Sequence, residues 1–164
     1  MFLREDLKRA IFIKTCQMLY ATIDKNEKGH QYMGDITLTK KILSFIEDNL
    51  DKELSLERIA KEFSYSKYYI AREFKANTGM TVYKYIQGRR LDESARKLAE
   101  TGRPIVEIAL EAGYGSQQAF TQAFRRIYAC TPQEYRRIGV FIPKQRRIRM
   151  RFVLVGVTGG RMAA

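Results

Sequence analysis

The sequence has no tryptophan, three prolines, two cysteines and one histidine, His30, in 164 residues. One imidazole is too few for a zinc hydrolase, a haem ligand pair or a histidine-based triad. Cys16 and Cys130 stand far apart with no cysteine near either, so neither a disulfide framework nor a Cys-x-x-Cys metal site is on offer. No apolar run approaches the roughly 18–20 residues that a membrane span needs. Glu5 and Asp6 fall where a secretion signal has a basic start and then an apolar block. These absences predict a reduced, cytoplasmic protein that holds no metal or other cofactor and is not an enzyme.

Acidic residues are also missing from one end. Residues 136–164 carry eight basic side chains and no acid, against sixteen basic and thirteen acidic over 37–135. The chain as a whole has a formal charge of +12. Such a balance suits a polyanion, nucleic acid before an acidic membrane. Because most of the excess lies in the tail, the middle has to recognise a partner by placing its charges well.

The middle is patterned as helices. Ile42, Leu43, Phe45, Ile46 and Leu50 form one helix-spaced apolar face. Ser55 reads as an N-cap opening a short helix with Leu56, Ile59, Ala60 and Phe63 inward. Ser64-Tyr65-Ser66 reads as a turn, with Ser66 capping a helix to Thr78 that Gly79 stops in a left-handed conformation. A long helix, about 81–100, follows, and Pro104 is placed at the first position of the next one. Residues 3–24 fit one further amphipathic helix, and the polar stretch Asp24 to Asp35 fits a linker.

The pattern then repeats. Ile59-Ala60-x-Glu62-x-x-Tyr65 recurs as Ile108-Ala109-x-Glu111-x-x-Tyr114, and one added residue, Gly115, shifts the register thereafter. Ser66, Phe74, Lys75, Thr81 and Tyr85 then match Ser116, Phe124, Arg125, Thr131 and Tyr135. The second copy closes on Thr131 as N-cap, Pro132 at N1 and Glu134 at N3. The expectation is an all-α fold of about seven core helices: two helix-turn-helix subdomains joined by a long linker helix. The boundaries are an N-terminal helical extension and linker (1–36), the bipartite domain (37–137) and a basic C-terminal tail (138–164). Within the domain the first motif covers about 55–79, the linker helix 81–100 and the second motif 104–128.

In a helix-turn-helix the second helix enters the major groove, and its first turns face the base edges. The outward positions are Lys67, Tyr68, Ala71, Arg72 and Lys75 in the first copy, with Ile70 and Phe74 inward. In the second they are Gln117, Gln118, Thr121, Gln122 and Arg125, with Phe120 and Phe124 inward. Arginine grips guanine O6 and N7 with two hydrogen bonds, and glutamine does the same to adenine N6 and N7. Glu73 is the sole acid in either helix and falls off the groove side.

Residues 37–137 resemble the DNA-binding domain of AraC/XylS-type transcription regulators. The resemblance rests on Leu56-x-x-Ile59-Ala60, Tyr65-Ser66, Phe74-Lys75-x-x-Thr78-Gly79, Tyr85-Ile86-x-x-Arg89-Arg90-Leu91 and Ala95-x-x-Leu98. It continues through Ile105-x-x-Ile108-Ala109, Gly113-Tyr114, Ser116-Gln117-Gln118-x-Phe120-Thr121-x-x-Phe124 and Thr131-Pro132-x-x-Tyr135-Arg136. Tyr65-Ser66-Lys67-Tyr68 and Ser116-Gln117-Gln118 are similar to the stand-alone MarA/SoxS/Rob subgroup. The resemblance implies a monomer on double-stranded promoter DNA, with two recognition helices in successive major-groove segments. It further implies an activator of stress or antibiotic-resistance genes in a bacterial cytoplasm, on the nucleoid, with RNA polymerase as partner.

Carried over by position, groove contacts fall on Tyr68, Ala71, Arg72, Gln117, Gln118, Thr121 and Gln122, flanked by Lys67, Tyr69, Lys75, Ser116, Arg125 and Arg126. Tyr68 stands where relatives often have tryptophan, Ala71 where they have a longer polar side chain, and Gln122 where they have arginine. Ser64 and Ala129 stand where glycine is common.

Two rival readings are weaker. Gly156-Val157-Thr158-Gly159-Gly160 lacks the Lys-Ser/Thr of a phosphate-binding loop, and Cys16 lacks the cysteine cluster of a methyl acceptor. A non-specific basic DNA-binding protein without promoter selectivity remains the alternative, built on the run from Arg136 to Arg151. The β-branched stretch 148–157 is left as disordered, docked on the helices, or the stub of an effector domain.

Overall fold

A computed structural model describes residues 35–149. The helix expected over 3–24, most of the linker that follows it and the segment beyond 149 lie outside the described residues. Among these residues the fold is all-α, with seven helices: α1 Ile36–Glu47, α2 Leu56–Glu62, α3 Lys67–Thr78, α4 Val82–Glu100, α5 Ile105–Glu111, α6 Gln117–Tyr128 and α7 Pro132–Ile138.

The caps fall largely where the sequence puts them. Ser55, Ser66, Thr81, Ser116 and Thr131 are N-caps whose hydroxyls accept the backbone N–H three residues on. Such a bond satisfies one of the four N–H groups that a helix start leaves without an internal partner. Thr131 and Glu134 close a reciprocal capping box with Pro132 at N1. Pro104 differs from expectation: with ψ 136° it is the extended N-cap of α5 and not its first helical residue. Its fixed φ serves either place, and its missing N–H costs nothing at a helix start.

The internal repeat is real in three dimensions. Ile59, Ile70 and Phe74 are fully buried in one subdomain, and Ile108, Phe120 and Phe124 in the other. Tyr65 N–H bonds to Ala60 O, and Tyr114 N–H bonds to Ala109 O, each at 3.0 Å. The turn between helices needs a left-handed residue, supplied by Ser64 (φ 58°) in the first copy and Gly113 (φ 82°) in the second. After α3 and α6 that role passes to Gly79 and to Ala129 (φ 59°).

α4 belongs to both subdomains. Its Val82, Tyr85 and Ile86 complete a first core with Leu38, Ile42, Ile46, Ile59, Ile70 and Phe74. Its Leu91, Ala95 and Leu98 complete a second with Ile108, Phe120, Phe124, Tyr128 and Tyr135. Val82 stands three and four residues before Tyr85 and Ile86, and Leu91, Ala95 and Leu98 are spaced by four and three, but the step from Ile86 to Leu91 is five. At 3.6 residues per turn that step rotates the apolar face by about 140°, so the two cores lie on different sides of one helix. In the second core Phe124 stacks on Tyr128 at 4.4 Å and meets Tyr135 edge-on at 5.4 Å.

A polar seam runs between the cores. Glu47 in α1 receives Arg89 Nε and Nη2 at 2.8 and 3.0 Å and Tyr85 Oη at 2.6 Å. Asp92, one turn further along α4, accepts from Tyr128 Oη at 2.6 Å and from the backbone N–H groups of Lys144 and Gln145. Those last two donors belong to the first part of the basic tail, which is docked on the helices as far as residue 149. Residues 139–149 cross α4 as a strap, with Phe141 packed on the second core and Ile148 on the first. Gln145 passes over Gly88, where a Cβ would stand 2.8 Å from its Cγ, so only glycine lets the strap lie this close.

Burial by itself pushes the Glu47 carboxyl up, but the hydrogen bonds from Arg89 and Tyr85, with the charges of Arg89 and Arg147, outweigh it and hold the group below its ordinary 4.5. Its contribution is therefore complete above the ordinary carboxylate range and is lost as pH falls through the lowered value. Asp92 works the other way: burial outweighs its hydrogen bonds and raises its carboxyl above 3.8, so its ionisation costs stability as pH rises. Glu47→Gln should flatten the acid limb of a stability-versus-pH profile, whereas Glu47→Ala at neutral pH should cost about 3 kcal/mol in a denaturant melt. Ala129→Gly removes left-handed strain at an exposed position and should stabilise by about 1 kcal/mol in the same assay.

Candidate nucleic-acid interface

Each subdomain presents the second helix of its motif with an apolar face in the core and a polar face outward. In α3, Ile70 and Phe74 anchor the helix, which leaves Lys67, Tyr68, Arg72 and Lys75 exposed. Tyr68 is 78% exposed, the most open of the large apolar side chains, and Lys67 Nζ lies 5.7 Å from its ring centre. Ala71 and Tyr69 are half-buried. Tyr69 stacks on Tyr65 at 5.0 Å, and the Arg72 guanidinium carbon lies over its ring at 5.2 Å from the centre.

In α6, Phe120 and Phe124 hold the helix down and leave Gln117, Gln118, Gln122, Arg125 and Arg126 exposed, with Thr121 half-buried. Gln117, Gln118, Thr121 and Gln122 line one shallow, open depression. This places all four expected readers of the second copy on a single surface. Ser116 stands apart from them in role, because its Oγ accepts the Ala119 N–H at 3.1 Å. Its hydroxyl proton remains available to an acceptor outside the helix.

The two faces differ in charge. The first turns of α6 are neutral amides and a hydroxyl, while Arg125 and Arg126 lie in its last turn. The α3 face is cationic, but its charges have local partners: Lys67 faces Glu57 at 3.7 Å, and Arg72 is bonded to Glu73 at 3.1 Å. Both helices begin on a capped first turn, the end that favours a phosphate. Lys75, Arg125 and Arg126 lie in the last turns of the two helices.

Sequence reasoning missed Glu57, Tyr65 and Asp35 as parts of this surface. Asp35 was assigned to a linker, yet its backbone N–H meets Glu73 at 3.0 Å and its carboxylate caps α1. Nothing local in a sequence pairs residues that far apart. The stacking of Tyr65 on Tyr69 was the more accessible signal, since the two are four apart across a turn.

A cleft of about 570 Å³ opens beside α4, lined by residues including Glu47, Arg89, Arg90, Glu93, Lys97 and Glu111. Several of its charges pair with one another, Glu47 with Arg89 and Glu111 with both Lys97 and Arg103. Among the described residues no three His, Cys, Asp or Glu side chains gather as a metal would need, and no helix is long and apolar enough to cross a membrane.

Residues 59–138 match a family described as a helix-turn-helix domain. The chain is 45% identical over 101 residues to the transposon Tn10 TetD protein of Escherichia coli, covering 62% of this chain and 73% of that protein. The chain belongs to the AraC/XylS family of transcription regulators. Multiple antibiotic resistance protein MarA of Salmonella typhimurium is 39% identical over 62% of this chain and 80% of its own length. The right origin-binding protein of E. coli K12 is 43% identical, but the chain spans only 36% of its length. A solved AraC-type transcriptional regulator from Chromobacterium violaceum superimposes with a TM-score of 0.59 at 29% identity, covering 63% of this chain and 92% of that one. These AraC/XylS relatives place the chain among DNA-binding regulators.

Ser116→Ala should remove the α6 cap and cost about 1 kcal/mol of stability. A thermal melt of the variant should show that loss, while Gln118→Ala, at an exposed position without a bond to lose, should melt as the parent does.

Proposed function

We propose that this AraC/XylS-family chain binds duplex promoter DNA sequence-specifically as a monomer, with α3 and α6 in successive major-groove segments. The supporting observation is the pair of equivalent recognition helices carried on one shared helix. α4 has 19 residues and spans roughly 28 Å at 1.5 Å per residue, against about 34 Å between groove segments one turn apart. It therefore acts as the ruler between the two heads.

Arg72 is assigned to a guanine and Gln117, Gln118 and Gln122 to adenines, with Tyr68 against a thymine methyl or a phosphate. Lys67, Lys75, Ser116, Arg125 and Arg126 take phosphates, Ala71 and Thr121 leave room for or touch base edges, and Tyr69 supports Arg72 from behind. The two halves of the site then differ in base content, one G·C-dependent and the other A·T-rich. The likeness to a protein named for multiple antibiotic resistance favours activation of stress or resistance genes in the bacterial cytoplasm, with RNA polymerase as the partner.

The alternative is a basic protein that coats DNA through its tail. It is disfavoured by the strap, which commits residues 139–149 to α4 and brings Arg147 to 3.9 Å from Glu47.

Selection of sites from a random duplex library at near-physiological salt separates the readings. The expected result is an asymmetric motif with two blocks about 10 base pairs apart. Arg72→Ala should relax one block and Gln118→Ala the other, each by about 1–3 kcal/mol of discrimination. Binding only at low salt, with no enriched motif, would leave the DNA-coating reading.

A further inference from the structure

Glu73 is the one acid on either recognition helix, and its side chain is 3% exposed beside an Arg72 that is 60% exposed. A carboxylate withdrawn from water on the core side of a helix is costly unless its oxygens are filled. Both are. Oε2 accepts the Asp35 backbone N–H at 3.0 Å, and Oε1 accepts Arg72 Nε and Nη2, each at 3.1 Å. The first bond ties Glu73 to the start of α1, so the position of the carboxylate is set by the packing of the first subdomain. The second pair fixes the plane of a guanidinium that would otherwise sweep through solvent.

The edge that is held matters. A guanidinium carries five N–H groups in a rigid fork. Glu73 takes the side-on edge, Nε and Nη2. The end-on edge, with both Nη1 hydrogens and the second Nη2 hydrogen, has no bond among the described residues. That edge carries the parallel N–H pair that fits O6 and N7 of guanine. Tyr69 adds a second restraint, its ring centre 5.2 Å from the Arg72 guanidinium carbon and its ring stacked on Tyr65.

We propose that Glu73 is a positioning residue for base readout: it holds Arg72 by its side-on edge so that the end-on edge is already aimed for a guanine. The proposal rests on the reading of α3 as a recognition helix. It gives the α3 half of the site a reader ordered before binding, whereas the α6 half is read by glutamines that have no such brace. Two other roles would give different results. In one Glu73 serves only to staple α1 to α3; in the other it holds Arg72 away from DNA by competing for its charge.

The test uses the full chain and a duplex carrying the sequence that the parent protein enriches, together with single-pair replacements of each G·C in the α3 half. Arg72→Ala should lower discrimination at one G·C pair by about tenfold or more. Glu73→Gln should lower it at the same pair by about three- to tenfold, in proportion to the lost alignment of a charge-assisted bond. In an Arg72→Ala background, Glu73→Gln should change nothing further. Glu73→Met, which keeps the volume and suits a buried helix position, should repeat the result if the glutamine variant melts early.

Arg72→Lys provides a variant at an exposed site where folding is not at risk. Lysine reaches guanine O6 and N7 as a point charge but offers no rigid fork for Glu73 to align, so in an Arg72→Lys background Glu73→Gln should cost no further guanine discrimination. A further loss on adding Glu73→Gln to Arg72→Lys would overturn the proposal. So would equal weakening on every duplex that persists in the Arg72→Ala background, which is the staple, or tighter binding by Glu73→Gln, which is the competitor. If Arg72→Ala left every preference intact, the recognition-helix reading itself would fail at this residue, a result distinct from a failure of Glu73 alone.

Discussion

One helix has to satisfy two hydrophobic cores at once. Val82, Tyr85 and Ile86 are buried in the first core and Leu91, Ala95 and Leu98 in the second, on faces turned well away from each other. A helix is stiff over this length because each residue's backbone is bonded to the next turn. Whatever fixes α4 in one core therefore fixes the other, and with it the separation and relative rotation of α3 and α6. A flexible link would leave α3 and α6 free to move relative to each other; a shared helix sets their spacing.

The step between the two stripes leaves a stretch of α4 that belongs to neither core, and there the structure uses polar groups. Arg89 reaches Glu47 of α1, and Asp92 takes Tyr128 of α6, so ion pair and hydrogen bond extend from α4 toward opposite subdomains. Burying these charges is tolerable because the lone pairs of both carboxylates are filled, in part by the backbone of the strap. Arg90 adds a third link, donating to the carbonyls of Leu50 and Lys52 while its Nη1 approaches the Gly113 turn. A Cβ at Gly113 would stand 2.7 Å from that nitrogen, the movable end of a long side chain, so it is the positive φ more than the space that calls for glycine at this turn.

The outward surfaces show the same division of labour between what is packed and what is presented. The phenylalanines and Ile70 anchor each recognition helix, and the polar residues between them point away because helical spacing leaves them nowhere else to go. Yet the two helices are not copies in chemistry. α3 presents a braced arginine with an open tyrosine beside it; α6 presents amides around a shallow depression. The repeat supplies the same scaffold twice, and the outward positions give each half its own surface chemistry.

Much of this was written in the order of residues. Serine and threonine caps, helix-spaced apolar positions and the register of the repeat act over one or two turns, so the sequence by itself determined the helices, their inward faces and which side chains face out. The Pro104 assignment slipped by one position because proline's fixed φ suits both the cap and the first turn. What only the tertiary structure decided depends on contacts between residues 30 to 60 positions apart: Glu73 with Asp35, Glu47 with Arg89, and Asp92 with the strap. No local pattern encodes such pairs, because a buried charge finds its partner only after the cores have brought distant segments together. The same reason explains the strap, whose Phe141 and Ile148 have nothing to pack against until both subdomains have formed along α4.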